Sequence, residues 1–140
     1  MSRFTRQEKE YLQSQRLGRM ATIDPTGDLH VVPVGFRYNP EEDTIDIGGH
    51  DIAKTKKYRD ALSHGRIAFV VDDVLPPWKP RFVEIRGTVA AFSEGGRAIN
   101  QGFRPELLRL RPTYIVSMGI DEVVILPGQG RVNYHGRKVT

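Results

Sequence analysis

The chain has 140 residues, 39% of them hydrophobic and 27% charged, with a formal charge of +4. That length suits one domain with its own core, and no apolar run is long enough for a membrane-spanning helix. The absence of cysteine excludes disulfides, thiolate catalysis and cysteine-bound metal, while the basic balance fits a polyanionic partner, either nucleic acid or a phosphorylated small molecule.

The first ten residues are charged throughout and lack the apolar centre of a secretory signal, which together with the missing cysteines makes a cytoplasmic protein the expectation. Thr5-Arg6-Gln7-Glu8 has capping-box spacing and predicts a helix from Thr5 to about Gln15, stopped by Gly18. Leu17 to Ile23 and Leu29 to Phe36 read as the strands of a hairpin around Asp24-Pro25-Thr26-Gly27-Asp28. Pro33 and Gly35 mark part of the second strand as an edge, or as a place where a flat group approaches the backbone. A simple strand irregularity fits the same residues.

Thr44 to Gly48 is a third strand, after which Asp51 is placed to cap a helix running to about Leu62, with Tyr58, Ala61 and Leu62 as its buried side. Ile67 to Val71 is an apolar, β-branched run expected to be buried on both faces. Residues 74–81 form a proline-rich loop presenting Trp78 between two prolines and beside Lys79, either toward a ligand or second subunit or as a lid on the protein's own core. Phe82 to Phe92 alternates as a long half-buried strand. Ser93 to Gly102 has some helical character, Pro105 to Leu110 reads as a helical turn, and strands follow at Tyr114 to Met118 and Glu122 to Leu126. The expected organisation is a single domain over residues 1–127 and a flexible tail over 128–140. Six or seven short strands with one well-placed helix between the third and fourth argue a small, mostly antiparallel barrel.

The chemically informative stretch is 45–59. A strand breaks at Gly48 and Gly49 and restarts as a helix whose first turns carry Lys54, Lys56, Lys57 and Arg59. A helix N-terminus is already partially positive, so four cations there make sense around an external anion such as a phosphate, with Thr55 adding a hydroxyl and His50 facing the same place. A basic helix face that is merely solvated has the same composition. No nucleophile–base pair, carboxylate pair or His-x-x-x-His spacing is present, so redox chemistry would belong to a bound cofactor. Tyr38, His50 and Ser117 are possible proton donors, and no spacing selects among them.

The segments 20–24, 30–36, 45–51, 54–59, 67–73 with Pro76-Pro77-Trp78, and 84–87 together carry a resemblance. In that order they resemble the pyridoxamine phosphate oxidase-like flavin and deazaflavin family, and within it the branch dependent on coenzyme F420. The resemblance implies a mainly β fold, the FMN-binding split β-barrel, with six to seven mostly antiparallel strands and a few short helices. It implies a homodimer with cofactor at the subunit interface and hydride transfer between F420 and a small organic substrate. Pro33, Val34 and Gly35 would run beside the flat ring, and Thr55, Lys56 and Lys57 would hold the phosphate, flanked by Gly49, His50 and Lys54. Trp78 and Lys79 would reach the cofactor bound mainly by the other subunit, with Arg37 and Arg81 as further cations for its acidic tail. FMN is the alternative cofactor. The sequence departs from the family at 114–119, where many relatives carry tryptophan before the glycine and this chain has Ser117-Met118-Gly119. The competing class is a single-stranded nucleic-acid-binding barrel using Phe36, Tyr38, Tyr58 and Trp78 beside cations, against which the charge is concentrated in one short helix.

Overall fold

The computed structural model describes residues 1–121 and 134–139. Its elements are α1 (Arg6–Ser14), β1 (Leu17–Ile23), β2 (Leu29–Asn39), β3 (Thr44–Gly48), a 3-10 turn (Ile52–Lys54), α2 (Lys56–His64), β4 (Arg66–Leu75), β5 (Lys79–Phe92), α3 (Gly96–Ile99), β6 (Leu107–Met118) and β7 (Tyr134–Lys138). The strands lie in the order β3-β2-β1-β4-β5-β6-β7, and pairing of β3 with β6 closes the first six into an antiparallel barrel. This is the expected split β-barrel. No helix among the described residues is long and apolar enough to cross a membrane.

Period-two alternation builds the core. Met20, Val34, Phe36, Ile45, Ile47, Phe69, Val71, Val83, Ile85, Leu110 and Ile115 point into the barrel and form one buried cluster. The capping box at the start of α1 is present: Thr5 Oγ1 accepts from the Glu8 amide at 3.1 Å, and Glu8 Oε1 accepts from the Thr5 amide at 2.9 Å. The helix plugs one end of the barrel with Tyr11 and Leu12 and is tied there by Arg137, which donates to Glu8 at 2.6 and 2.9 Å and to the Arg3 carbonyl.

Several local expectations change. Gly18 lies inside β1, where it makes room for the Phe69 ring, and α1 has already ended at Ser14. Thr55, not Asp51, caps α2, which runs on to His64 and ends at left-handed Gly65; Leu62 is exposed, and Asp60 and Ala61 take the buried side. β4 buries only Ile67, Phe69 and Val71, because Ala68 and Val70 face outward. The proline-rich loop is a tight hairpin turn between β4 and β5, and Trp78 at its tip is 75% exposed, which removes the core-lid alternative. Residues 107–110 are strand, since Leu108 and Leu110 fill barrel positions opposite Ile47 and Ile45. Residues 134–138 of the expected flexible tail pair with 114–118 as β7. The strand expected at Glu122 to Leu126 lies outside the described residues.

Candidate functional site

The site follows from an unequal pairing. β2 has 11 residues and β3 has 5. β3 therefore covers only 35–39 of β2, while 29–34 pair with β1 alone, leaving one backbone edge without a ladder partner among the described residues. Pro33, which has no N–H, falls in this half, as an edge assignment requires. The chain leaving β3 then continues through the 3-10 turn into α2, whose N-terminus lies beside His30 and Val32 of the open edge.

Between them is a cavity of about 220 Å³ lined by Thr22, His30, Val32, Thr55, Lys56, Lys57 and Asp60. Alternation places His30 and Val32 on the same face of β2, with Thr22 directly across from His30 in β1. Thr55 caps the helix: its hydroxyl donates to the Ile52 carbonyl at 2.6 Å and accepts from the Tyr58 amide at 3.4 Å. A helix N-terminus leaves its first amides unpaired and carries partial positive charge, and the first residues of this one, Thr55, Lys56 and Lys57, line the cavity.

The lysines are not equivalent. Lys56 Nζ lies 2.6 Å from Asp60 Oδ2 and 3.4 Å from Asp24 Oδ2, and hydrogen bonding to Asp60 raises its pKa above the ordinary lysine value. Asp60 is only 6% exposed, so Lys56 already serves as counter-ion to a buried carboxylate. His30 Nε2 is 3.2 Å from the same Asp24 oxygen. The Thr26 hydroxyl, His30 and the turn amides of Thr26 and Asp28 hold the Asp24 carboxyl far below the usual range. Lys54 pairs with Asp51 at 3.6 Å, and Arg59 donates to the Lys54 carbonyl. Lys57 lines the cavity, is half-buried, and makes no ion pair among the described residues. Of the expected phosphate ligands, Thr55, Lys56 and Lys57 thus converge, with Lys57 the uncommitted cation.

The remaining candidates sit elsewhere. Gly35 and Gly48 face each other across β2 and β3 and are covered by Ile99 and Phe103. Gly49 accepts a hydrogen bond from the Arg104 amide at 3.2 Å. His50 is exposed, with Nδ1 3.2 Å from the Gly102 carbonyl and its ring edge-on to Phe103 at 5.3 Å. Val34 is buried in the barrel core. Trp78 and Lys79 stand at the tip of the β4–β5 hairpin, outside the cavity. Arg37 pairs with Glu41, and Arg81 is bound to Asp73 at 2.6 and 2.9 Å and stacks on Tyr11, so neither is a free cation. Sequence reasoning misses Thr22, His30 and Asp60; the signal for His30 is its two-residue offset from Val32 on a strand whose edge Pro33 marks.

A sequence profile described as "Pyridoxamine 5'-phosphate oxidase" matches residues 4–107. Over 139 residues the chain is 38% identical to a 5a,11a-dehydrotetracycline/5a,11a-dehydrooxytetracycline reductase of Streptomyces rimosus, an alignment covering 98% of this chain and 94% of that protein. Among solved structures, the FAD binding protein from Mycobacterium smegmatis superposes with a TM-score of 0.61 at 21% identity, covering 81% of this chain and 93% of that one. A structure described as F420 reductase superposes with a TM-score of 0.59 at 22% identity, covering 76% and 94%. The two structural likenesses establish the fold.

Proposed function

The chain belongs to the pyridoxamine 5'-phosphate oxidase family and is an oxidoreductase, and from that premise we propose that it is a reductase that binds coenzyme F420 in the cleft between β2 and α2. The observation that carries the proposal is the cavity in which Thr55 and Lys57 at a helix N-terminus meet His30 at the end of an unpaired strand edge. A phosphate there would meet first-turn amides, the Lys57 ammonium and the imidazole of His30, while Lys56 stays with Asp60 and shapes the wall. The open edge at 29–34 leaves backbone groups available to a heteroaromatic ring lying along β2. These features fit a flat cofactor with a phosphorylated tail.

When bound, a deazaflavin supplies two-electron hydride transfer. The chain's own residues then bind the phosphate, align the ring and shield it from water. Reduction of a polarised C=C bond takes one hydride and one proton. The relative named for dehydrotetracycline reduction makes a polycyclic enone of that kind the first substrate class to test. The exposed Trp78–Lys79 tip is proposed to reach over the cofactor of a second copy in a homodimer, and the reaction is proposed to be cytoplasmic.

Titration of the purified protein with F420 and, separately, with FMN, followed by fluorescence or heat, tests the reading. Tight F420 binding and weak FMN binding are expected, followed by F420-dependent loss of a dehydrotetracycline chromophore. Preference for FMN would move the chemistry to a flavin, the sense in which the FAD binding structural relative is informative. Binding of neither would refute the cofactor site.

A further inference from the structure

Gly35 and Gly48 are direct partners in the β2–β3 ladder, and β-carbons built on both would strike the same ring. From Gly35 a Cβ would stand 2.8 Å from Phe103 Cζ and 2.9 Å from Cε2; from Gly48 it would stand 3.0 Å from Phe103 Cδ2 and 2.9 Å from Ile99 Cδ1. The sheet thus presents a bare backbone floor, and one side of the phenyl ring spans it. Glycine at both positions weakens a strand pair, so their use has to be answered by the close approach of something flat.

What lies there is a loop residue outside the core. Phe103 is half-buried and stands outside the barrel's core cluster. Its loop is fastened mainly by polar contacts: the Gly102 amide donates to Asn100 Oδ1 at 2.8 Å, the Phe103 amide to the Asn100 carbonyl at 2.9 Å, and the Arg104 amide to the Gly49 carbonyl at 3.2 Å. His50 closes one side, with its ring edge-on to Phe103 and Nδ1 toward the Gly102 carbonyl. Few apolar contacts and exposed backbone hydrogen bonds characterise segments that open at low free-energy cost. The floor is on the outer side of β2, opposite the side that His30 and Val32 share with buried Val34, and it adjoins the end of the unpaired edge, since Gly35 is the residue at which β3 pairing begins.

We propose that Phe103 is a removable cover on this glycine floor, occupying in the free protein the place taken by one end of the cofactor's ring system, and that binding displaces it. The inference rests on the cofactor reading above. The cover is intramolecular competition: if the slot is open for only a fraction of the time, the apparent dissociation constant rises by the inverse of that fraction. A minor open state of about 1–10% gives a penalty of roughly 10- to 100-fold.

The test uses the full-length protein and its F103A and F103L variants, with F420 and FMN as probes in stopped-flow binding. Phe103→Ala is expected to tighten binding of the preferred cofactor roughly tenfold or more, with the gain in the association rate, and Phe103→Leu to give a smaller gain. Hydrogen exchange on the wild type supplies an arm independent of variant folding: the Phe103 and Arg104 amides are expected to exchange faster when cofactor is bound. Unchanged or weaker binding by the variants, or stronger protection of those amides with cofactor, would overturn the cover while leaving the cofactor site in place. A wild type that binds neither cofactor would overturn both.

Discussion

Replacing Lys57 and Lys56 singly by alanine separates two roles that the cationic turn combines. Lys57 reaches the β2–α2 cavity without an internal ion pair among the described residues, whereas Lys56 is bound to Asp60 at 2.6 Å before any ligand arrives. A hydrogen bond from an ammonium to phosphate contributes about 1.5–3 kcal/mol. At about 1.4 kcal/mol per factor of ten, Lys57→Ala should weaken cofactor binding roughly 10- to 150-fold. Because the contact is to phosphate, F420 and FMN should suffer alike. Lys56→Ala should affect binding less and lower the melting temperature of the free protein, because Asp60, only 6% exposed, loses its counter-ion. Calorimetric titration at about 0.15 M salt, where exposed charges are largely screened, together with thermal melts without cofactor, measures both. If Lys57→Ala binds within about threefold of wild type while Lys56→Ala loses more than about thirtyfold, the reasoning is refuted. Lys56 would then have to leave Asp60 on binding.

Burial pushes the Glu8 carboxyl up, but the two Arg137 bonds and the Thr5 amide together outweigh it and leave it below its ordinary value. Its contribution is therefore present above the unfolded value of about 4.3 and lost as pH falls through the folded one. Arg137→Met should cost about 2–4 kcal/mol in urea unfolding, less than a fully buried pair because Arg137 is 33% exposed, and should flatten the acid limb of stability against pH. An unchanged acid limb would assign it to Asp43 and Asp73 instead, whose carboxyls are also held low. Trp78→Ala should leave unfolding free energy within about 0.5 kcal/mol, since the ring is 75% exposed, yet weaken cofactor binding; equal binding would remove the hairpin tip from the site. Gly87→Ala should destabilise by more than about 2 kcal/mol, because its Cβ would meet the Arg111 carbonyl across the β5–β6 bulge, and a normal melt would contradict that register.

Short-range chemistry is the part of this structure that the sequence states openly. The capping box at Thr5 and Glu8, the hairpin turn around Asp24 and Gly27, and the alternation of Val83, Ile85 and Gly87 each depend on neighbours within a few residues, and each forms where expected. Tertiary contacts are less legible. Leu107 and Leu108 look helical beside Pro105, yet pairing with β5 and β3 makes them strand. The cations of 54–59 are visible as a group, but their partition is not, because Asp60 and Asp24 claim Lys56 from one helical turn away and from another hairpin. Gly18 looks like a helix stop yet is a contact point for Phe69, whereas Gly35, read as a place where a flat group approaches the backbone, does lie under the Phe103 ring.

The position of the candidate site is a consequence of strand length. Had β3 matched β2, its backbone would have covered 29–34, and neither an open edge nor a cleft beside α2 would exist. β3 stops at Gly48, and Gly48 and Gly49 turn the chain away over the barrel end, so the strand that is cut short and the helix that presents its N-terminus are produced by the same break. The vacated length of β2 holds His30, beside Lys57 and Thr55, and ends just before Gly35, which lies under Phe103. An anion-binding end on the barrel-facing side of β2 and a flat, side-chain-free end on its outer side are thereby joined across the open strand edge, over which a ligand with a charged tail and a planar head would pass. Extending β3 by replacing Gly48-Gly49 with β-branched residues should therefore damage both ends at once, whereas Lys57→Ala should damage only the first.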